Sequence, residues 1–397
     1  MQLSKQQQMD FDANNRRFGF TAESLSQLPA HTPQKITFSK DPQVSSVPPK
    51  MITVANLAEL KALVSLPKTD DDSHLNYPPA LDLAEVKTGL TAAHRQQLRA
   101  ALHCGVAGET GKVADSDLAL LQEYEFPMTL AAFAMTDHTV KSGEILELGN
   151  GTTTNFGTLT IEAGGQVKSS GQAYLNCQNL NQQGSQPSGS YTINLSMPTL
   201  NPVKAANGKA GNDGHQGQQG SPGAKCASHC KTAPGNGGKG GNGGNGAPGD
   251  NGTHGAHGPI LYCMINRASG NISIHSGAQE GQAGGNGGAG GNGGKGGEAG
   301  HNPGPCPDAK SGSEGDGGSG GAGGNGGNGG NGAQIYFYYD KSQPKPSIEP
   351  TYSTTNGGEQ GSGGAPGKGH TSGDPGKGGA PGKPGAPGVI KAIPSNN

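Results

Sequence analysis

The 397-residue chain contains no tryptophan, 9 tyrosines and 8 phenylalanines, and only 30% of its residues are hydrophobic. A typical globular chain is about 45–50% apolar, so an enzyme-like aliphatic core along the whole length is excluded. Charge of either sign is also scarce. Lys and Arg total 28 against 30 Asp and Glu, a formal net charge of -2, so no overall field draws the chain to nucleic acid or to an anionic membrane. No apolar run approaches the roughly 18 residues of a membrane span. Met1 to Phe20 is polar without an apolar h-region, which predicts no secretory signal and, for an extracellular or virion location, non-classical export or carriage on a particle. Six cysteines, at 104, 177, 226, 230, 263 and 306, are too few for a disulfide scaffold of this length and leave the redox compartment open.

Motifs of catalysis are missing too. The sequence carries no paired carboxylates, no G-x-S-x-G and no Walker-type lysine where a strand and helix would support them. Phosphate-cradling loops need a glycine turn that enters a helix, and the glycine tracts here enter none. The expectation is a non-enzyme without cofactor or metal.

What the chain has is glycine, unevenly placed: 14 of 74 fall in residues 1–200, leaving 60 in residues 201–397. In the first part, residues 1–50 are rich in Gln, Asn, Ser and Pro, and predict an extended arm with few fixed contacts. Residues 51–130 predict a helical attachment module. Val54, Leu57, Leu60, Leu63 and Val64 recur at helical spacing from Thr53 to the stop at Pro67. After an acidic loop at Asp70 to Asp72 and a turn at Pro78 and Pro79, a second helix is expected from about Thr91 to His103, ended by Gly105. A third runs from an Asp115 or Ser116 cap through Tyr124. From about Phe133 the period becomes two, with runs at Ile145–Leu148, Leu159–Ile161, Val167–Leu175 and Tyr191–Leu195 separated by glycine turns. Residues 131–202 therefore predict a β-framework, either a sandwich or a small solenoid.

In residues 203–397 glycine recurs at every third position in six tracts: 208–223, 237–258, 281–296, 312–330, 358–367 and 373–388. A period of three fits neither helix nor strand. It fits the left-handed polyproline-II screw, on which each tract would span roughly 45 to 70 Å at about 3.1 Å per residue. Stretches such as Gly284-Gly285-Asn286-Gly287-Gly288-Ala289 leave two ridges of the screw bare. Such a screw makes no hydrogen bonds to itself, so its N–H and C=O groups must meet neighbours, and bare ridges let backbones approach. Asn, Lys, Ala and Ser at the third position should face solvent. Tracts with one glycine in three, 208–223 and 373–388, should lie at the bundle edge. The glycines expected to hold the interior include Gly237, Gly240, Gly243, Gly246, Gly287, Gly290, Gly293, Gly324, Gly327 and Gly330. Strand-like stretches at Ile260–Ile274, Gln334–Tyr339 and Val389–Ile393 bracket the tracts, which makes residues 203–258, 278–333 and 356–388 three out-and-back insertions. Disorder and a collagen triple helix are the alternatives. The strict register opposes the first, and short tracts with little proline oppose the second.

Tracts of the GGNGGNGG and GGAGGNGG kind, joined by short variable loops behind an attachment region, resemble the tip adhesins on the long tail fibres of T-even-type phages. The resemblance covers about residues 203–388 and implies that the tracts form a polyglycine-II bundle; together with the residue patterns above, the expected fold is mostly β with a polyglycine-II helix bundle and a small N-terminal α-helical module. The resemblance further implies that the distal loops contact a cell-surface protein or glycan receptor, and that a tail-fibre or carrier protein holds the N-terminal module. Loops on a rigid scaffold usually carry recognition. The candidate contact residues are Lys225, His229 and Lys231 in the first loop, His301, Asn302, Asp308 and Lys310 in the second, and Lys368, His370 and Asp374 in the third. Cys226, His229 and Cys230 form a single C-x3-C, a weak metal signal, so a disulfide among Cys226, Cys230 and Cys306 or free thiols are favoured. His254, His257, His275 and His301 read as solvated or hydrogen-bonding rather than catalytic. Two other readings stand beside the adhesin: a secreted toxin or effector acting on a host membrane, and a structural subunit that assembles into a fibre or layer.

Overall fold

The computed structural model describes residues 2–28, 34–69, 75, 77–86 and 89–396. The acidic loop at Asp70–Asp72 lies outside them. The protein is mostly β. Helix α1 spans Lys5–Arg17, followed by strands β1 (Lys35–Phe38) and β2 (Lys50–Val54) and helices α2 (Leu57–Val64), α3 (Leu83–Val86), α4 (Ala92–Ala107) and α5 (Asp115–Glu125). Then come β3 (Met128–Val140), β4 (Ile145–Leu148), β5 (Thr152–Glu162), β6 (Gln166–Ser169), β7 (Ala173–Gln183) and β8 (Ile193–Leu195). The glycine-rich part adds a hairpin, β9 (Ala224–Cys226) and β10 (His229–Thr232), and five further strands. These are β11 (Ile260–Ser269), β12 (Asn271–Ser276), β13 (Gln334–Asp340), β14 (Ser347–Tyr352) and β15 (Val389–Ser395).

The N-terminal expectations need correction. Residues 1–50 are not a loose arm: Ser4 and Gln7 form a reciprocal capping box that starts α1, and Phe11, Phe18 and Phe20 are buried. The buried Asn155 amide donates to Phe11 O at 3.0 Å and to Asn15 Oδ1 at 2.7 Å, tying this helix to β5. The helix expected from Thr53 begins at Leu57, because Lys50–Val54 pairs antiparallel with β3 instead. Helix α4 runs through Gly105 and ends at Gly108, whose φ of 94° supplies the left-handed cap. Gly105 serves a close approach, since a Cβ there would lie 2.6 Å from a Leu57 methyl.

From β3 onward the chain coils between two sheets. The seven-stranded sheet has the order β15-β13-β11-β7-β5-β3-β2 and the six-stranded sheet β1-β4-β6-β8-β12-β14. Apart from β2 with β3, every neighbouring pair in both is parallel. Successive strands alternate between the sheets, which is a solenoid and not a sandwich. Ala131, Thr152, Ala173, Leu261, Ile335 and Ile390 stand in register in one column across the seven-stranded sheet. Its inner face meets the other sheet in one apolar core that includes Phe38, Phe133, Leu175, Cys263, Phe337 and Ile274. Its outer face carries a tyrosine ladder against α4. Tyr174 stacks on Tyr262 at 5.0 Å, Tyr262 on Tyr336 at 5.5 Å, and His103 stacks on Tyr336 at 4.0 Å.

The three glycine-rich insertions all replace the same connection, the return from the six-stranded to the seven-stranded sheet after β8, β12 and β14. Each runs out and back, giving six bonded arms: 208–223, 235–258, 281–301, 310–332, 357–368 and 373–388. The outgoing first, third and fifth arms form one row. Gly208, Gly211, Gly214, Gly217, Gly220 and Gly223 donate their N–H to carbonyls of the third arm at 2.7 to 2.9 Å, and Gly284, Gly287, Gly290 and Gly293 donate to the fifth. The returning second, fourth and sixth arms form another row, with Gly237 N–H bonded to Lys310 O and Gly320 N–H to Asp374 O. Antiparallel bonds join the rows, as in Gly288 to Ala247 O and Gly321 to Gly288 O. The returning row runs straight into β11, β13 and β15, so the two rows of arms prolong the two sheets of the coil.

The third and fourth arms each bond to four neighbours, and the first and sixth to two. The arms with two glycines in three are the ones with most neighbours. At each of the ten glycines from Gly237 to Gly330 named above, an added Cβ would fall 1.9 to 2.0 Å from a carbonyl oxygen of the adjacent arm. No side chain fits at such a contact.

One expectation about the third position is incomplete. These side chains lie on the outer ridges, yet many of them also bond the next arm. Asn236 Oδ1 accepts from Lys310 N, Asn251 from Asn325 N, Asn325 from Ala380 N and Asn292 from Lys368 N, at 2.8 to 3.0 Å. An outward N–H finds no backbone carbonyl there, and a short amide side chain in the neighbouring arm supplies the acceptor.

Candidate functional site

The far ends of the first two insertions form the most distinctive exposed structure. Between the first and second arms, β9 and β10 pair antiparallel with His229 opposite Cys226, and Ala227 takes a φ of 53° in the turn. Lys225, Cys226, His229, Cys230 and Lys231 are all exposed. Between the third and fourth arms, Asn302 organises the turn: its Nδ2 donates to Cys306 O at 2.7 Å and to Asp308 Oδ1 at 2.6 Å, and its Oδ1 accepts from Gly304 N at 3.1 Å. Gly304 has a φ of +131°, which only glycine adopts readily. A disulfide joins Cys230 to Cys306 and locks the two turns together across 76 residues of sequence.

The third turn is set apart. Gly293 N bonds to Lys368 O, whereas Gly223 N bonds to His301 O further out, so the third insertion stops several residues short of the tip. His370 N donates to Gly315 O, and the Thr371 hydroxyl donates to Asp316 Oδ1 at 2.5 Å. That hydroxyl and the Lys239 ammonium hold the half-buried Asp316 carboxyl below its usual range. Lys310, Lys368 and Asp374 belong to the bonded ridges of the arms and not to the turns. The structure thus gathers Lys225, His229, Lys231, His301, Asn302 and Asp308 at one end and leaves Lys368, His370 and Asp374 on the flank.

Cys226 is a free, exposed thiol. Cys104, Cys177 and Cys263 are free and buried. Burial pushes the Cys177 thiol up to about 12, and that of Cys263 higher still. Thiolate is the reactive species, so a thiol reagent on the native protein should label one site quickly. Peptide mapping should find it at Cys226, and rapid labelling of Cys263 would mean that the coil is open. No group of three or more His, Cys, Asp or Glu that could hold a metal occurs among the described residues.

The histidines have bonding roles. His254 Nδ1 and His257 Nδ1 accept from Asn328 N at 2.7 Å and Asn331 N at 2.9 Å, standing where asparagines stand elsewhere on the ridge. His275 bonds Thr351 and Ser353 and stacks on Tyr191. Desolvation, with Arg99 nearby, lowers the His257 pKa from its ordinary 6.5. A depressed imidazole pKa means that the neutral form is favoured on folding. Its contribution is complete above the ordinary value and declines as pH falls below it. Protonation also turns the acceptor of Asn331 N–H into a donor. The protection of the Asn331 amide, measured against the intrinsic exchange rate at each pH, should therefore fall as pH drops below about 6.5, and His257→Asn, which keeps an acceptor, should flatten that dependence. An unchanged pH profile in the variant would refute this role.

Neither a family model nor a curated protein matches the sequence. Among solved structures, a springtail antifreeze protein from Granisotoma rainieri, described as a nine polyproline type II helical bundle whose crystal waters match the ice lattice, is 24% identical. It covers 49% of this chain and 100% of its own, with a TM-score of 0.09. A superposition that poor carries no argument about fold or activity. No helix among the described residues is long and apolar enough to cross a membrane.

Proposed function

We propose that the protein is a non-enzymatic adhesin in which a polyglycine-II bundle, footed on a parallel β coil, holds two cross-linked turns out to a receptor. The carrying observation is the disulfide between Cys230 and Cys306 at the far end of six backbone-bonded arms. A turn that is only solvated needs no such lock, whereas a recognition surface gains affinity when its loops are ordered before binding. The period of three, the absence of hydrogen bonds within an arm and the bare ridges between arms support the polyglycine-II description. Lys225, His229, Lys231 and Asp308 offer polar and charged groups suited to a surface protein or glycan. An extracellular or virion setting goes with this reading, since the disulfide is compatible with an oxidising compartment.

The test is a cell-binding assay with residues 225–231 replaced by a Gly-Ser linker. Binding should fall at least tenfold, while replacement of 369–372 should leave it within about twofold, because rim contacts contribute little. Binding that survives the first replacement removes the adhesin reading. Leakage of vesicles by the intact protein would support the toxin, and concentration-dependent polymers the structural subunit.

A further inference from the structure

Far from the tip, a cleft of about 1150 Å³ lies between the outer face of the seven-stranded sheet and the N-terminal helices. One face of α1, through Gln6, Asp10, Asn14 and Arg17, forms one wall, and Ala58, Lys61 and Ala62 of α2 form the other. The volume exceeds the roughly 300–1,000 Å³ of most small-molecule sites, which leaves room for an extended ligand.

The floor is a row of amides. Asn176 and Gln178 of β7 and Asn266 of β11 line it beside Tyr338. Gln178 is only 5% exposed, and its Oε1 has no hydrogen-bond partner. Leaving a buried acceptor unmet is costly, so such an atom points to a donor that arrives with a ligand. Rotation about the terminal torsion of a glutamine is soft, which lets the amide turn toward an occupant. The cations on the walls and rim, Arg17, Lys61 and Lys68, are matched by Asp10, Glu109 and Asp340, so the site favours no net charge.

We infer that this cleft binds a neutral oligosaccharide. Its hydroxyls each donate once and accept twice, as a row of side-chain amides requires. A charged ligand of either sign would meet as many like charges as opposite ones, so the lining rewards no net charge on its occupant. The inference is independent of the tip turns.

The full-length protein is titrated with maltotriose, cellotriose and N,N′,N″-triacetylchitotriose while backbone amide shifts are followed. One of the three saturates with shifts at Gln178, Asn266 and Ala62. Gln178→Ala weakens that binding roughly tenfold without lowering the melting temperature, because it removes an orphaned acceptor. Ala62→Trp, at an exposed position of α2, fills the cleft and abolishes binding while leaving the sheet untouched. The 225–231 replacement changes nothing here, which separates this site from the receptor contact. No saturable shift with any of the three, shifts that persist in Ala62→Trp, or displacement by inorganic phosphate would each overturn the assignment.

Discussion

Replacing Gly291 by alanine should disrupt the arms, with a loss of at least about 3 kcal/mol. The new Cβ would lie 2.0 Å from Asn212 O and 2.4 Å from its carbonyl carbon, both main-chain atoms of the first arm that no side-chain rotation moves away. Gly291 N also donates to Gly244 O at 2.8 Å, and Gly291 O accepts from Gly318 N, so displacement of one residue disturbs three neighbouring arms. Gly378→Ala is the matched control within the same lattice. Its nearest atom lies 3.7 Å from the position of an added Cβ, and the substitution should be neutral or stabilise by about 0.4 to 1 kcal/mol through the unfolded chain. Thermal unfolding and amide exchange of both variants decide the matter. Equal stability of the two would mean that the close backbone contacts are not what holds the arms.

Reducing the disulfide, or replacing Cys306 by serine, should cost about 2 to 4 kcal/mol, as expected when a cross-link closes a long loop. The 76-residue separation spans one complete return to the coil, so the constraint acts on the unfolded chain even though the foot of each arm is clamped by strands. The damage should be local in the native state. Protection should fall at residues 224–232 and 301–308, while Gly288 and Gly321, deep in the arms, stay protected. Receptor binding should weaken more than tenfold, the equivalent of about 1.4 kcal/mol. Cys226→Ser should change neither property. If the reduced protein keeps full protection at the two turns, the cross-link is incidental to their order.

Much of the architecture was legible because it repeats locally. A glycine at every third residue has one physical meaning for the arms, namely that a side chain is barred from every contact between neighbours. The strand-like stretches at Ile260–Ile274, Gln334–Tyr339 and Val389–Ile393 fall on β11 with β12, on β13 and on β15. The number of bare ridges likewise distinguished Gly287 and Gly324 in the middle arms from the single-glycine edges. Helix α1 was missed although Ser4-x-x-Gln7 is a capping signal, because its Gln- and Asn-rich surface hides a burial stripe of only Phe11, Asn15 and Phe18. Strand β1 alternates but is only four residues long, and β14 is an exposed edge strand interrupted by Pro350, so neither announces itself in the sequence. The exposed residues of the tip turns were legible as loop residues, but their grouping was not.

The sequence alone determined the three-residue repeat, the alternation of strands and arms, and the polar, weakly charged character of the turns, since each follows from residues next to one another in the chain. Only the tertiary structure decided that the β runs coil as a solenoid and that outgoing and returning arms prolong its two sheets. It also decided that Cys230 meets Cys306 while the turn at His370 stops short. Those outcomes depend on the register between segments tens of residues apart. That register is set by where each insertion leaves and re-enters the coil and by how many triplets it carries before turning.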